Sequence, residues 1–168
     1  MSYPHYSTIN ILVQRISATR PMAWFFARYL HRIDRLFLRL SKGKMTLTSY
    51  LAGLPVVVLT TTGARSGLLR TTSLACIIDP ENHGQFAILA SNFGQPHHPA
   101  WYYNLKAEPH ALGSIDGQKK RYVAHEASDA EYSRFWSYAI KIFPGYIQYQ
   151  KRLLKRRIPI MVLMEEGD

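Results

Sequence analysis

The chain has 168 residues, one cysteine and a net charge of +10. That length and an apolar content of 47% describe one globular domain with a sizeable core, which excludes a disordered or fibrous chain. A lone cysteine excludes an internal disulfide, no run is long and apolar enough to span a bilayer, and the charge predicts an anionic partner: nucleic acid, a membrane surface or a phosphorylated ligand.

The opening MSYPHYSTIN lacks the pattern of a secretory signal. With Cys76 sitting in the apolar run LACII, the expected location is cytoplasmic. Residues 1–44 hold eight Lys/Arg against one acid, Asp34. They read as a basic N-terminal segment ahead of a main domain over 45–168. Within that segment, the spacing predicts an amphipathic helix over 21–40. Phe26, Leu30, Ile33 and Phe37 fall on one face, and Arg28, Arg32, Arg35 and Arg39 repeat the spacing about 200° away. The plain reading is a helix docked on the core with a solvated basic face. The functional one is contact with an anionic membrane or the tail of an anionic ligand, with peripheral association at the inner face of the membrane.

After Lys42-Gly43-Lys44 the pattern turns to strands. PVVVLTTT (55–62), RTTSLACII (70–78) and QFAILAS (85–91) are predicted strands separated by a glycine turn and by DPENHG. AWYYNLKAE follows Pro99 as a short helix. Asp116-Gly117 predicts a tight hairpin between HALGSI and QKKRYVAHEA. Ser128 and Glu131 have capping-box spacing for a helix to about Phe143; GYIQYQKRLLK is a second helical piece after Pro144, and IPIMVLM is a closing strand. Antiparallel strands with glycine turns and a few helices give an α+β domain built on a small barrel.

Three segments offer chemistry. TTTGARSGLLRTT (60–72) is a glycine hairpin with Arg65 and Arg70, a setting in which turn N–H groups and guanidiniums bind phosphate. It has neither P-loop nor GxGxxG spacing, and by its pattern alone it reads first as an ordinary surface hairpin with solvated arginines. In SNFGQPHHPAWYY, Ser91-Asn92 ends a strand where a flat ring can approach, and Trp101, Tyr102 and Tyr103 can shape a pocket. His97 and His98 have no Cys/Asp/Glu cluster at ligand spacing, so no metal site is expected; nor is there a serine or cysteine triad. In FPGYIQYQ, Tyr146 and Tyr149 share a helix face. They either pack on the barrel or present protonated hydroxyls to a substrate oxygen.

Taken in order, LPVVVLTTTGARSGLLRTT, ILASNFGQPHHPAWYYNLKAEP, FPGYIQYQ and RIPIMVLM resemble the deazaflavin-dependent nitroreductase family, split β-barrels that bind coenzyme F420. The resemblance runs from about Pro21 to Leu163. It implies a reductase that passes a hydride from the reduced deazaflavin to an electron-poor acceptor such as a quinone, nitro compound or enone. Arg65, Ser66, Gly67, Arg70 and Thr71 would hold the coenzyme's phosphate. Ser91 and Asn92 would lie against the ring, with His98, Pro99 and Trp101 beside it, and Tyr146 and Tyr149 would be the catalytic hydroxyls lining the acceptor pocket. The basic N-terminal helix would sit near the coenzyme's acidic tail. The sequence departs from the family at Ala64, Leu68, Leu69, Ser73, Phe93 and His97, where relatives carry further basic residues, prolines or a glycine. An FMN-dependent oxidoreductase of the same barrel class is the first alternative. A non-catalytic basic protein that binds membrane or nucleic acid is the second, although the aromatic residues do not alternate with Lys/Arg as nucleic-acid binders require, so no nucleic acid is expected. Open split barrels often pair, so the chain is expected as a monomer or homodimer.

Overall fold

The structure, a computed structural model, describes residues 16, 19, 21, 22, 25, 26, 28, 29, 53–82, 84–153 and 156–167. Seven antiparallel strands form one sheet: β1 (Val56–Thr62), β2 (Leu69–Ala75), β3 (Ile77–Ile78), β4 (Gln85–Leu89), β5 (His110–Ile115), β6 (Gln118–Glu126) and β7 (Ile160–Glu165). Helix α1 (Ala100–Ala107) precedes β5, and α2 (Asp129–Ile142) and α3 (Gly145–Arg152) lie between β6 and β7.

The order across the sheet is β2-β1-β5-β6-β7-β4-β3. Its two outermost strands are therefore neighbours in sequence, joined through Cys76 alone, and the sheet must curl to bring them together. This is the split-barrel architecture expected from the sequence. One expectation changes. RTTSLACII is not one strand: Cys76 donates its N–H to the carbonyl of Pro55 at 2.9 Å, and on either side of it β2 pairs with β1 while β3 pairs with β4. Val, Thr and Ile favour strands on both sides of the break, so propensity gives no sign of a change of partner.

Side-chain alternation divides the core in two. In β1, Val57, Leu59 and Thr61 point inward and are buried. In β4 and β7, Phe86, Ile88, Met161 and Leu163 fill the barrel, while Ala87, Leu89, Ile160 and Val162 on the opposite face pack under α2 and α3 with Phe135, Ala139 and Ile142. Burial on both faces explains why QFAILAS and IPIMVLM are continuously apolar rather than alternating.

Local signals behave as their chemistry requires. Asp116 and Gly117 both take positive φ (51° and 83°) in the β5–β6 turn, the conformation that makes Asp-Gly a hairpin dipeptide. Ser128 accepts from the N–H of Glu131, whose carboxylate accepts from the N–H of Ser128, which completes the capping box of α2. The helix α3 ends at Arg152, short of the expected 155. Gln150 then spans the connection to β7, donating to the carbonyl of Arg156 at 3.0 Å and accepting from the N–H of Ile158 at 2.9 Å.

Of the amphipathic helix expected over 21–40, residues 21, 22, 25, 26, 28 and 29 are described and helical. Phe26 is half-buried and Arg28 exposed, as its two faces require. Leu30, Ile33, Phe37, Arg32, Arg35 and Arg39 lie outside the described residues. Among the described residues no helix is long and apolar enough to cross a membrane.

Candidate cofactor and acceptor site

The turn between β1 and β2 is tightly closed. Gly63 donates to the carbonyl of Leu68 at 2.9 Å, and Ser66 and Gly67 donate back to the carbonyl of Gly63 at 3.1 and 2.8 Å. Ala64 donates to Asn104 Oδ1 at 3.0 Å, and Leu68 to Ser66 Oγ at 3.4 Å. These N–H groups are spent inside the turn, so an anion here meets side chains rather than the backbone nest that the glycines imply. Gly67 serves the turn by its φ of 66°. Gly63 is required by crowding: a Cβ there would stand 2.7 Å from Ser66 Oγ, 3.1 Å from the carbonyl of Leu68 and 3.8 Å from Arg70 Cγ.

Ser66 and Arg70 thus both close on Gly63, whose surroundings leave no space for a side chain. Arg65 and Arg70 are exposed, and neither has an acidic partner among the described residues. Thr71 belongs to the other face of β2, where its hydroxyl meets that of Thr60 at 2.9 Å. The turn brings Ser66 and Arg70 to the same glycine, with Arg65 exposed in the same turn, and the register leaves Thr71 on the other face.

The turn is fixed from below by a residue that sequence reasoning missed. Asn104, buried in α1, donates to Thr61 Oγ1 at 3.0 Å while accepting from Ala64 N–H. An asparagine inside a short helix is a faint signal, since its side chain competes for backbone hydrogen bonds unless something else occupies it. The same helix sends Trp101 into the barrel core, 7% exposed, leaves Tyr103 outside, and directs the Tyr102 hydroxyl to Glu126 at 3.1 Å. Burial alone would raise the Glu126 carboxyl, but hydrogen bonds from Lys106 and Tyr102 hold it below its ordinary range.

Beyond β4 the chain makes a turn at Asn92–Gly94 with three successive positive φ values, 45°, 56° and 76°. For Phe93 this conformation is uncommon and strained. Gly94 is required by crowding as well, because a Cβ would lie 3.2 Å from Arg152 Cδ and 3.3 Å from Tyr149 Cα. Asn92 reaches across the loop to the carbonyl of His97 at 3.0 Å. Arg156 closes the loop from the far side. It donates to the carbonyls of Gln95 (2.8 Å), Pro96 (3.2 Å) and His97 (3.3 Å), and lies 3.1 Å from Nδ1 of His98. The His98 ring rests against Tyr102, with centroids 4.7 Å apart. Burial, and next the Arg156 charge, push its imidazole below the ordinary value.

Arg156 is a second residue missed in the sequence, hidden in the basic run Lys151–Arg157. Part of that run is engaged internally: Arg157 lies 3.7 Å from the ring centre of Tyr132 and 3.5 Å from Asp129 Oδ1.

Tyr146 and Tyr149 do share a face of α3, and that face is the core side, leaving them 8% and 3% exposed. With Phe143 they form a cluster of rings 5.1 to 6.2 Å apart. Phe93 stands edge-on to Tyr149 at 6.4 Å, and Phe26 of the N-terminal helix lies 6.4 Å from Phe93. Burial pushes both phenols well above their ordinary value, so both keep their protons at any physiological pH.

The comparisons with known proteins point one way. The family model described as F420H(2)-dependent quinone reductase matches residues 30–165. An F420H(2)-dependent quinone reductase of Mycobacterium tuberculosis (strain ATCC 25618 / H37Rv) is 35% identical over 112 residues, covering 65% of this chain and 72% of the relative. Among solved structures, an F420-H2 dependent reductase superposes with a TM-score of 0.58 at 34% identity, over 65% of this chain and 93% of its own. A second, described as a domain-swapped dimer, gives 0.61 at 30% identity, over 77% and 94%. The motifs that carried the resemblance all fall within the matched span, and this chain belongs to the F420H(2)-dependent quinone reductase family.

Proposed function

We propose that the chain binds F420 with its phosphate at the β1–β2 turn and uses the bound coenzyme to reduce a quinone. Family membership makes the protein an F420H2-dependent oxidoreductase acting on a small-molecule acceptor; the acceptor's class and the roles of single residues are the proposal. The observation that carries it is the pair Arg65 and Arg70, exposed on a closed turn together with Ser66 and without an acidic partner among the described residues. Donor-only guanidiniums beside a hydroxyl fit a phosphate.

When bound, the reduced deazaflavin supplies the hydride; orientation, exclusion of water and proton management belong to the protein. Arg65, Ser66 and Arg70 hold the phosphate, Gly67 shapes the turn, and Thr71 braces β2 against β1 through Thr60. Ser91 and Asn92 border the ring, on a wall that His98 and Pro99 extend and that Trp101 anchors in the barrel core. Tyr149 and Tyr146, both protonated, donate hydrogen bonds to the acceptor oxygen on which negative charge develops. Phe93, packed against Phe26 and Tyr149, sets the width of the entrance to them.

We also propose that residues 1–44 act as a separate basic element serving the acidic tail of the coenzyme or a membrane surface, and that 45–168 form the barrel domain. A homodimer is in keeping with the domain-swapped dimer among the structural neighbours.

The test is anaerobic oxidation of F420H2 by the purified protein with a quinone, a nitroaromatic and an activated enone, followed by the coenzyme's absorbance. Quinone turnover ahead of the other two is the expected result. Turnover with FMN and none with F420 would overturn it.

A further inference from the structure

We infer that Arg156 is the positioning residue of the cofactor wall: it holds the 95–98 loop in place and fixes His98 as the neutral imidazole whose proton is on Nε2. The inference rests on the proposal that this loop borders the coenzyme, and it goes beyond that proposal by naming the device that shapes the loop.

Three observations carry it. First, the guanidinium donates to the carbonyls of Gln95, Pro96 and His97, three consecutive residues, from a position about sixty residues later in the chain. Carbonyls of consecutive residues converge on one point only in a curled loop, and Pro96 and Pro99 leave that loop few N–H donors with which to brace itself. A planar fork of N–H groups satisfies all three carbonyls at once, whereas a lysine ammonium presents a single point.

Second, arginine has donors only. At 3.1 Å from Arg156 Nη1, Nδ1 of His98 must accept, so the ring's proton sits on Nε2. Protonating His98 would set an N–H against an N–H and break that contact. Third, the charged and titratable groups facing the ring are Arg156, His97, Glu126, Tyr102 and Tyr103. Glu126 is already taken by Tyr102 and Lys106, so that burial first and the Arg156 charge next hold the imidazole neutral, and the contact with Arg156 selects its tautomer.

The consequence is a wall that keeps its shape at neutral pH and loosens as His98 gains a proton. Loss of Arg156 uncouples the two: the loop relaxes, and the imidazole, freed of the neighbouring charge but still partly buried, rises part of the way toward its ordinary value.

The experiment uses the full chain as wild type, Arg156→Lys and Arg156→Met, each checked for folding by circular dichroism. Imidazole nitrogen chemical shifts of His98 are followed by NMR through a pH titration, and F420 affinity is measured by fluorescence at pH 7.5 and 5.5. In the wild type we expect the Nε2–H form over the neutral range and weaker F420 binding at pH 5.5. In Arg156→Met we expect mixed tautomers, a His98 midpoint moved upward and an F420 affinity lower by about tenfold, the scale of one lost charged hydrogen bond. Arg156→Lys should lower the His98 midpoint like the wild type yet bind F420 like Arg156→Met, because it restores charge without the fork. A folded Arg156→Met with wild-type tautomer and affinity would overturn the inference while leaving the proposed function intact. A wild type that binds no F420 would overturn both.

Discussion

The β1–β2 turn and the α3 face hold their polar groups in opposite ways. Arg65 and Arg70 stand in solvent on a turn whose backbone is closed on itself and anchored by buried Asn104. Tyr146 and Tyr149 lie in the core, surrounded by rings, with their protons held by burial. A coenzyme phosphate is strongly hydrated and arrives from water, so exposed cations on a rigid mount suit it. A charge that develops only during reaction is best met by donors already stripped of water. On the proposed function, affinity belongs to one end of the site and turnover to the other. The loop clamped by Arg156 lies between them in the chain.

The largest expected effect breaks the turnover end alone. Tyr149→Phe should lower kcat on the order of 100-fold, the cost of removing one preorganised donor, with F420 affinity nearly unchanged. Steady-state kinetics with quinone, set beside fluorescence titration of the coenzyme, checks this. Equal turnover would assign Tyr149 to packing, the other role that its burial permits.

A smaller effect should loosen the affinity end. Asn104→Ala removes the hydrogen bonds to Thr61 and Ala64, and should cost about 2 kcal/mol of stability by denaturant unfolding. The amides of 63–68 should exchange faster, and F420 affinity should fall several-fold while kcat at saturating coenzyme holds. A fall in kcat without a fall in affinity would erase the division between the two ends.

Much of this architecture was legible in the sequence because the signals were local. Asp116-Gly117, the Ser128–Glu131 box, the Val/Thr alternation of β1 and the glycines of the first hairpin each act within a few residues. Their order along the chain was enough to place the family. What the sequence concealed depends on distant partners. The strand through Cys76 changes neighbours without changing composition. Asn104 acts on Thr61, 43 residues away, and Arg156 on Gln95, 61 away, from within a cluster of five Lys/Arg residues, 151–157, that does not single it out. Glycine at 63 and 67 marked the turn correctly, but only the hydrogen-bond pattern shows that its N–H groups are already committed. The shared face of Tyr146 and Tyr149 was legible from their spacing; that the face turns inward follows from how α3 packs against β4 and β7.

The central claim is that the exposed arginines of the β1–β2 turn recognise the coenzyme's phosphate. Parallel fluorescence titrations of wild type and Arg70→Ala with F420 and with FMN test it most directly. We predict saturable F420 binding by the wild type, with FMN weaker, and a loss on the order of tenfold or more in Arg70→Ala, as expected for a charged hydrogen bond to phosphate. Undiminished F420 binding by Arg70→Ala would contradict the claim and move the phosphate elsewhere on the barrel.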